Sequence, residues 1–178
     1  MQATVEGIDA ARFRGLATEA ASVYGQAMHR SPEVVVQRRD IIAVHVNYAG
    51  FIASGAFNGG GEAAALVGFG YGYNGARGQW WHDIVVSALG PDGAKRWLRD
   101  GFELAELHVR PDHQGQGFGR ALLTNVLSRA TACHAVLSTP DTESAARTLY
   151  RSYGFVDLRC DFRFPGSPEP YAIMGVDL

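Results

Sequence analysis

The run Glu103–Leu123, ELAELHVRPDHQGQGFGRALL, constrains this chain more than any other part of it. It reads as a strand up to Val109, a turn carrying Gly115, Gly117 and Gly119, and the first turns of an apolar helix. A strand that feeds a helix through glycines aims several free backbone N–H groups at one spot, with the helix dipole behind them. Such a spot takes an anion, and the usual anion is a phosphate or pyrophosphate. The run therefore predicts a strand–helix unit with a phosphate-bearing ligand at its mouth.

The other elements follow in chain order. Thr4 to Ile8 reads as a short strand, and Phe13, Leu16, Ala17, Ala20, Tyr24, Ala27 and Met28 recur at helical spacing after Asp9. Ser31-Pro32-Glu33 starts a second helix, which ends before Gly50. Phe51–Phe57 and Ala63–Tyr73 read as strands around a hairpin turn at Asn58-Gly59-Gly60-Gly61. In the second of these strands Gly68, Gly70 and Gly72 alternate with Phe69, Tyr71 and Tyr73. One face is then nearly bare backbone, against which something packs closely. Asn74–Asp100 has no clean period, holds Trp80, Trp81 and Trp97, and reads as a long excursion from the sheet. After the strand Phe102–Val109 come a helix from about Gly117 to Ala132 and a strand His134–Thr139. A cap at Pro140-Asp141-Thr142 precedes a helix Glu143–Tyr153 closed by Gly154, and strands Leu158–Phe164 and Tyr171–Val176 end the chain.

At 178 residues the chain suits one core and one domain. A net charge of −2 gives no electrostatic case for a nucleic acid or an anionic membrane as partner. No apolar run is long enough for a bilayer, and the N-terminus lacks the pattern of a signal peptide. Cys133 and Cys160 stand far apart without partner spacing, so reduced thiols in a cytoplasmic protein are expected.

Two glycine motifs compete for the phosphate. Gly70-Tyr71-Gly72-Tyr73-Asn74-Gly75 matches the dinucleotide fingerprint, but that fingerprint needs an apolar helix directly after it, and none is expected at Ala76–Trp80. Gln114-Gly115-Gln116-Gly117-Phe118-Gly119 follows a strand and opens a helix, without the Gly-Lys-Ser/Thr of a P-loop. With Arg110-Pro111 before it, this motif resembles the Q/R-x-x-G-x-G/A signature of the GCN5-related N-acetyltransferases, the GNAT superfamily. A second block, Ala146-x-x-Leu149-Tyr150-x-x-x-Gly154-Phe155, is similar to that family's A-x-x-L-Y-x-x-x-G-F ending, and the two stand in the family's order.

The resemblance implies one α/β domain with a central mixed, V-splayed sheet of about seven strands flanked by about four helices. It also implies acetyl-CoA as cosubstrate, no metal, and direct acetyl transfer to a primary amine in a ternary complex. The pyrophosphate would sit on Gln114, Gly115, Gln116, Gly117, Phe118, Gly119 and Arg120. The pantetheine arm would pair with Leu107, His108 and Val109, where a backbone N–H would also face the thioester oxygen. Where many relatives have Asn the chain has Glu143, so that a pantetheine contact is either lost or supplied by Ser144 or Thr139. Tyr150 matches the tyrosine that protonates the departing thiolate, with packing under the sheet as the alternative.

An amine acceptor is mostly ammonium at neutral pH, so a base is needed. Glu103 and Glu106 are the candidates that the resemblance brings, and in a regular strand they face opposite sides, so one of them at most faces the acceptor. Glu106 is slightly favoured, with an ion-paired surface role open for each. His113 reads as a loop residue, and His108 and His113 match no metal spacing. His45, His82, Tyr73 and the tryptophans, with Asp83, are either core residues or the wall of an acceptor pocket. Cys133 lacks a nucleophile's partners. The acceptor is a small molecule or a peptide, and dimers are common among relatives. A non-catalytic acyl-CoA-binding sensor is the alternative from another class.

Overall fold

A computed structural model of the chain describes residues 4–59 and 64–178. The elements run β1 (Thr4–Ile8), α1 (Ala10–Gly15), α2 (Ala17–Ala27), α3 (Pro32–His45), β2 (Ile52–Asn58), β3 (Ala65–Asn74) and α4 (Trp80–Trp97). Then follow β4 (Gly101–Val109), a 3₁₀ turn (Pro111–His113), α5 (Phe118–Leu127), β5 (His134–Pro140), α6 (Ala145–Tyr153), β6 (Val156–Phe162) and β7 (Tyr171–Asp177). The strands form a seven-stranded mixed sheet in the order β1-β2-β3-β4-β5-β7-β6. The β4–β5 pairing is parallel, over Gly101–Glu103 and His134–Val136, whereas β1–β2, β2–β3, β5–β7 and β6–β7 are antiparallel. The chain divides into two compact units, Met1–Tyr73 with Glu106–Ala130, and Asn74–Ala105 with Thr131–Leu178.

In the first unit β3 explains its own composition. Phe69, Tyr71 and Tyr73 are buried, and Tyr71 packs 5.4 Å, centroid to centroid, from Phe13 of α1. On the other face a methyl at Gly68 would stand 3.1 Å from the His108 carbonyl oxygen and 3.2 Å from Leu122 Cδ1. One at Gly70 would stand 2.9 Å from Leu107 Cδ1. The bare face is thus the seat of β4 and α5. The stripe Leu122, Leu123, Val126 and Leu127 buries α5, which stops at Leu127 instead of running on to Ala132. Just past its end, Arg129 donates to the carbonyl oxygens of Asn125 and Ala53. The helical pattern after Asp9 is two helices, because the Leu16 N–H turns back to the Arg12 and Phe13 carbonyls and ends α1. Helix α3 begins at Pro32, and Gly25 of α2 leaves the room that the Val35 side chain fills. The hairpin turn expected at Asn58–Gly61 falls largely outside the described residues, with Asn58 as the last residue of β2.

The second unit holds the main correction. The stretch 74–100, which reads without a period, contains α4, broken where Gly90 leaves helical geometry ahead of Pro91. The break hides the pattern, since proline has no N–H for the helix and clashes with the preceding turn. Before it, Trp81, Ile84, Val85, Ala88 and Leu89 keep helical spacing and pack on Leu98, Val136, Phe164 and Ile173. With α4 and the α1/α2 division, the described residues contain six α-helices instead of about four. Helix α6 starts at Ala145, its cap being Ser144, whose Oγ accepts the Arg147 N–H at 3.2 Å. Cys133 and Cys160 are free and exposed. No helix among the described residues is long and apolar enough to cross a membrane.

Candidate active site

The glycine loop in the first unit has the geometry of an anion cradle. Gly115 has φ 73° and Gly117 has φ 86°, both in the left-handed region that glycine alone enters freely. A methyl at either position would meet nothing within 4 Å, so the backbone opens outward there. Gly117 is the N-cap of α5, and no side chain caps that end. The first intrahelical bond runs from the Ala121 N–H to the Gly117 carbonyl, which leaves the N–H groups of Phe118 and Gly119 at the open helix start. The side chain of Gln114 anchors the loop by donating to the Val109 carbonyl at 2.9 Å. Gln116 donates to the Asp112 carbonyl at 3.3 Å. His113, expected as a loop residue, lies in that turn with Nδ1 2.8 Å from Asp112. These donors and this open backbone fit the pyrophosphate of a nucleotide cofactor. The competing Gly70–Gly75 motif lies in β3 through Asn74, and Gly68 and Gly70 serve packing. A helix does begin at Trp80, contrary to expectation, but only after an extended Gln79.

The end of β4 supplies the second half of the site. Alternation sends Leu107 and Val109 toward β3 and α5, and Glu106 and His108 to the other face. There Glu106 is only 7% exposed, and both its oxygens are engaged. Arg38 Nη1 donates to Oε1 at 2.5 Å, and His108 Nε2 lies 2.5 Å from Oε2. Arg38 comes from α3, lies 4.4 Å above the Tyr24 ring of α2, and donates to the Tyr24 hydroxyl at 3.3 Å. The edge of the His108 ring meets Tyr24 at 5.2 Å. One turn-pair further along α3, His45 Nδ1 is 3.0 Å from the Tyr71 hydroxyl, and its ring packs on Tyr73 at 4.9 Å.

Burial would raise the Glu106 pKa, but the His108 hydrogen bond and the charges of His108 and Arg38 outweigh it and hold the carboxyl below its usual range. Burial lowers His45 to about 4, against the pull of Glu106 and with the push of Arg38, so the ring is neutral at pH 7. The cluster therefore contains a fixed carboxylate, a fixed cation and two imidazoles.

Sequence reasoning named Glu106 and His108 but missed Arg38, Tyr24 and Tyr71. The available signal was the spacing of Arg38, Ile42 and His45 on one face of α3, with Ile42 fully buried between the two polar residues. The remaining site candidates lie in the second unit. Glu103 is buried opposite Val136 in the β4–β5 ladder. Tyr150 is buried on α6, its ring 5.7 Å from Phe155. Ser144 caps α6, and Glu143 accepts from Arg151 at 3.0 Å. Trp81 donates from Nε1 to Ser138 Oγ at 2.9 Å, Trp97 covers Gly175, and Trp80 is 61% exposed. Asp83 accepts the Gly78 N–H at 3.0 Å, so its carboxylate is engaged at the start of α4, beside His82. No group of metal-binding side chains is found among the described residues.

The chain matches the family model described as an acetyltransferase (GNAT) domain over residues 47–157. It is 40% identical over 120 residues to the GCN5-like protein acetyltransferase Rv2170 of Mycobacterium tuberculosis, covering 63% of this chain and 58% of that protein. It thus spans little more than half the length of that relative. In solved structures its fold is similar to the ribosomal-protein-S18-alanine N-acetyltransferase of Escherichia coli, with a TM-score of 0.66 and 18% identity over 99% of this chain and 94% of that one. The PaiA N-acetyltransferase of Thermoplasma acidophilum, solved in complex with coenzyme A, gives 0.62 and 15% over the whole of both chains. The two blocks recognised in the sequence, Gln114–Gly119 and Ala146–Phe155, both fall inside the matched region, and the chain belongs to the GNAT acetyltransferase domain family.

Proposed function

We propose that this chain is an N-acetyltransferase that moves the acetyl group of acetyl-CoA to a primary amine borne by a protein or peptide. The observation that carries the reading is the loop: two left-handed glycines, open space above them and an uncapped helix start, directly after the strand that bears Glu106 and His108. The name of the M. tuberculosis relative, a protein acetyltransferase, supports the choice of a protein amine over a free small molecule. Coenzyme A in complex with the T. acidophilum N-acetyltransferase supports the cosubstrate.

Acetyl-CoA supplies an acyl group activated as a thioester. The N–H groups of Phe118 and Gly119 and the backbone of Gln114–Gly117 hold its pyrophosphate, and the backbone of Leu107–Val109 pairs with its pantetheine arm. Tyr150 returns a proton to the leaving sulfur, a role carried over from the matching motif. The cluster around Glu106 takes the proton that an ammonium acceptor must lose, with Glu103 as the second candidate.

The test is a panel of acceptors scored by release of free coenzyme A thiol, beside calorimetry on Gly117→Val. Wild type should acetylate lysine-bearing or N-terminal peptides. The variant should bind acetyl-CoA at least about tenfold more weakly, because a β-branched residue does not hold the φ of 86° and its side chain fills the cradle. Unchanged affinity would move the phosphate elsewhere, and thiol release only with small amines would replace the protein acceptor.

A further inference from the structure

Within that reaction, which the inference presupposes, Glu106 and His108 are neighbouring groups of β4 able to take a proton, and the geometry separates their tasks. Glu106 is the slightly favoured of the two carboxylates that the resemblance offers as base. Yet its carboxylate is bound on both oxygens, by Arg38 Nη1 and by His108 Nε2, each at 2.5 Å, and it is almost fully buried. A carboxylate held below its usual pKa by a hydrogen bond and a cation is a weak base toward an ammonium of pKa about 10. Imidazole, as a side-chain type, is much better matched to catalysis near neutral pH.

The same contacts fix the tautomer of His108. An ionised Oε2 accepts, so Nε2 must carry the hydrogen, and the neutral ring then has its lone pair on Nδ1. Among the described residues Nδ1 has no hydrogen-bond partner. The ring cannot turn freely, because Tyr24 meets it edge-on at 82° and Phe69 lies 5.6 Å away on β3. Charged and titratable groups face it from each packed element. They are Glu106 on its own strand and Tyr24 on α2, while Arg38 and His45 on α3 act on Glu106. Arg38 keeps Glu106 ionised, and Glu106 gives the protonated ring its counter-charge.

We propose that His108 Nδ1 is the proton acceptor of the acetyl transfer, and that Glu106 is a positioning residue that holds the ring through Nε2. The step balances. An ammonium acceptor loses one proton to Nδ1, and its freed lone pair forms the bond to the acetyl carbonyl carbon. The carbon–sulfur bond breaks, with its electron pair leaving on sulfur, and the nitrogen's second proton is lost as the thiolate gains one, which gives the neutral amide and free coenzyme A thiol.

The experiment compares wild type, His108→Gln, His108→Ala and Glu106→Gln, with acetyl-CoA affinity measured by calorimetry as the check on fold and cofactor site. His108→Gln should lose about 10²- to 10³-fold in kcat at pH 7 and lose the rising limb of the pH–rate profile, with acetyl-CoA affinity within about threefold. Added imidazole should restore at least about tenfold of the activity of His108→Ala. Nitrogen-15 shifts of wild type should place the neutral-ring proton on Nε2, and Glu106→Gln should remove that preference. A His108→Gln enzyme within about threefold of wild type, with its rising limb intact, would overturn the proposal, as would a wild-type proton on Nδ1. Wild type that fails to bind acetyl-CoA, or binds it and acetylates no acceptor, would overturn the transferase reading beneath it, and the base assignment with it.

Discussion

Each compact unit contains one ion cluster built around a buried charge, and the two are made on opposite plans. In the second unit the buried member is a cation: Arg147, 5% exposed, binds Asp141 and Asp157, and its Nη2 lies 3.7 Å from Cys160 Sγ. Asp141 also accepts the Asp161 N–H at 2.7 Å, so the cluster ties backbone segments together at the start of α6 and in β6. Burial works against the Arg147 charge, but hydrogen bonds to the two aspartates push its pKa further up. Asp141 is pulled down by the Asp161 N–H and by Arg147. Neither Arg147 nor Asp141 changes charge near neutral pH. In the first unit the buried member is an anion, its partners are side chains from α3 and β4, and one of them is an imidazole. A cluster that spends its carboxylate on a backbone amide is scaffold; one assembled from side chains, with a titratable ring, is equipped for chemistry.

The largest break in this comparison comes from Arg147→Met. It leaves Asp141 and Asp157 without their common cation and should cost about 2–3 kcal/mol, below the range for a deep pair because Asp157 keeps 30% of its side chain in water. Urea midpoints measure the loss, and kcat should stay within about threefold of wild type, since the cluster holds no reacting group. A larger fall in kcat than in stability would mean that the second cluster also serves the reaction. Next in size is Arg38→Met. Without the cation, burial lifts the Glu106 carboxyl from its lowered position, and kcat should fall by about tenfold, or about 1.4 kcal/mol. The loss should deepen as pH is lowered toward 5, because protonated Glu106 no longer accepts from His108. A flat ratio to wild type across pH would reduce Arg38 to a stacking partner of Tyr24.

The two clusters were not equally legible beforehand. Strand–turn–helix residues 103–123 declare themselves because a glycine loop and a following apolar stripe are local patterns, and the structure places β4, the loop and α5 there. Glu106 and His108 were candidates because the resemblance puts a carboxylate base on this strand and pairs the pantetheine arm with its last residues. Arg38 was not, because its meaning depends on α3 being packed beside β4, a long-range fact with only a faint trace in the spacing of Arg38, Ile42 and His45. Helix α4 was missed for a local reason: Gly90-Pro91 splits one periodic pattern into two short ones. Ser144 was considered as a cofactor contact and Thr142 as part of a cap. The hydroxyl that caps α6 is that of Ser144, a choice made by the backbone path after β5.

The smallest effect sharpens the comparison through pH alone. His45 is expected near 6.5 in the unfolded chain and is lowered to about 4 in the fold, chiefly by burial. Between those values the unfolded state binds the extra proton, so stability must fall as pH drops from about 6.5 toward 4, and the neutral ring's contribution is complete only above that window. The ring is partly open to solvent, which screens the effect to about 1 kcal/mol. His45→Gln keeps a side-chain group that can hydrogen-bond the Tyr71 hydroxyl and removes the titration, so the drop in unfolding free energy between pH 7 and pH 5, read from urea titrations, should shrink by about that amount. Glu106, lowered from 4.5, adds a loss of its own only below that pH, which keeps the two contributions apart. Arg147, raised, and Asp141, lowered, offer no proton uptake between pH 5 and 7. Hydrogen exchange should therefore show amides of α3 losing protection over that interval while those of α6 keep theirs. Equal loss in both helices would mean that the two units unfold as one and that His45 is felt throughout the chain.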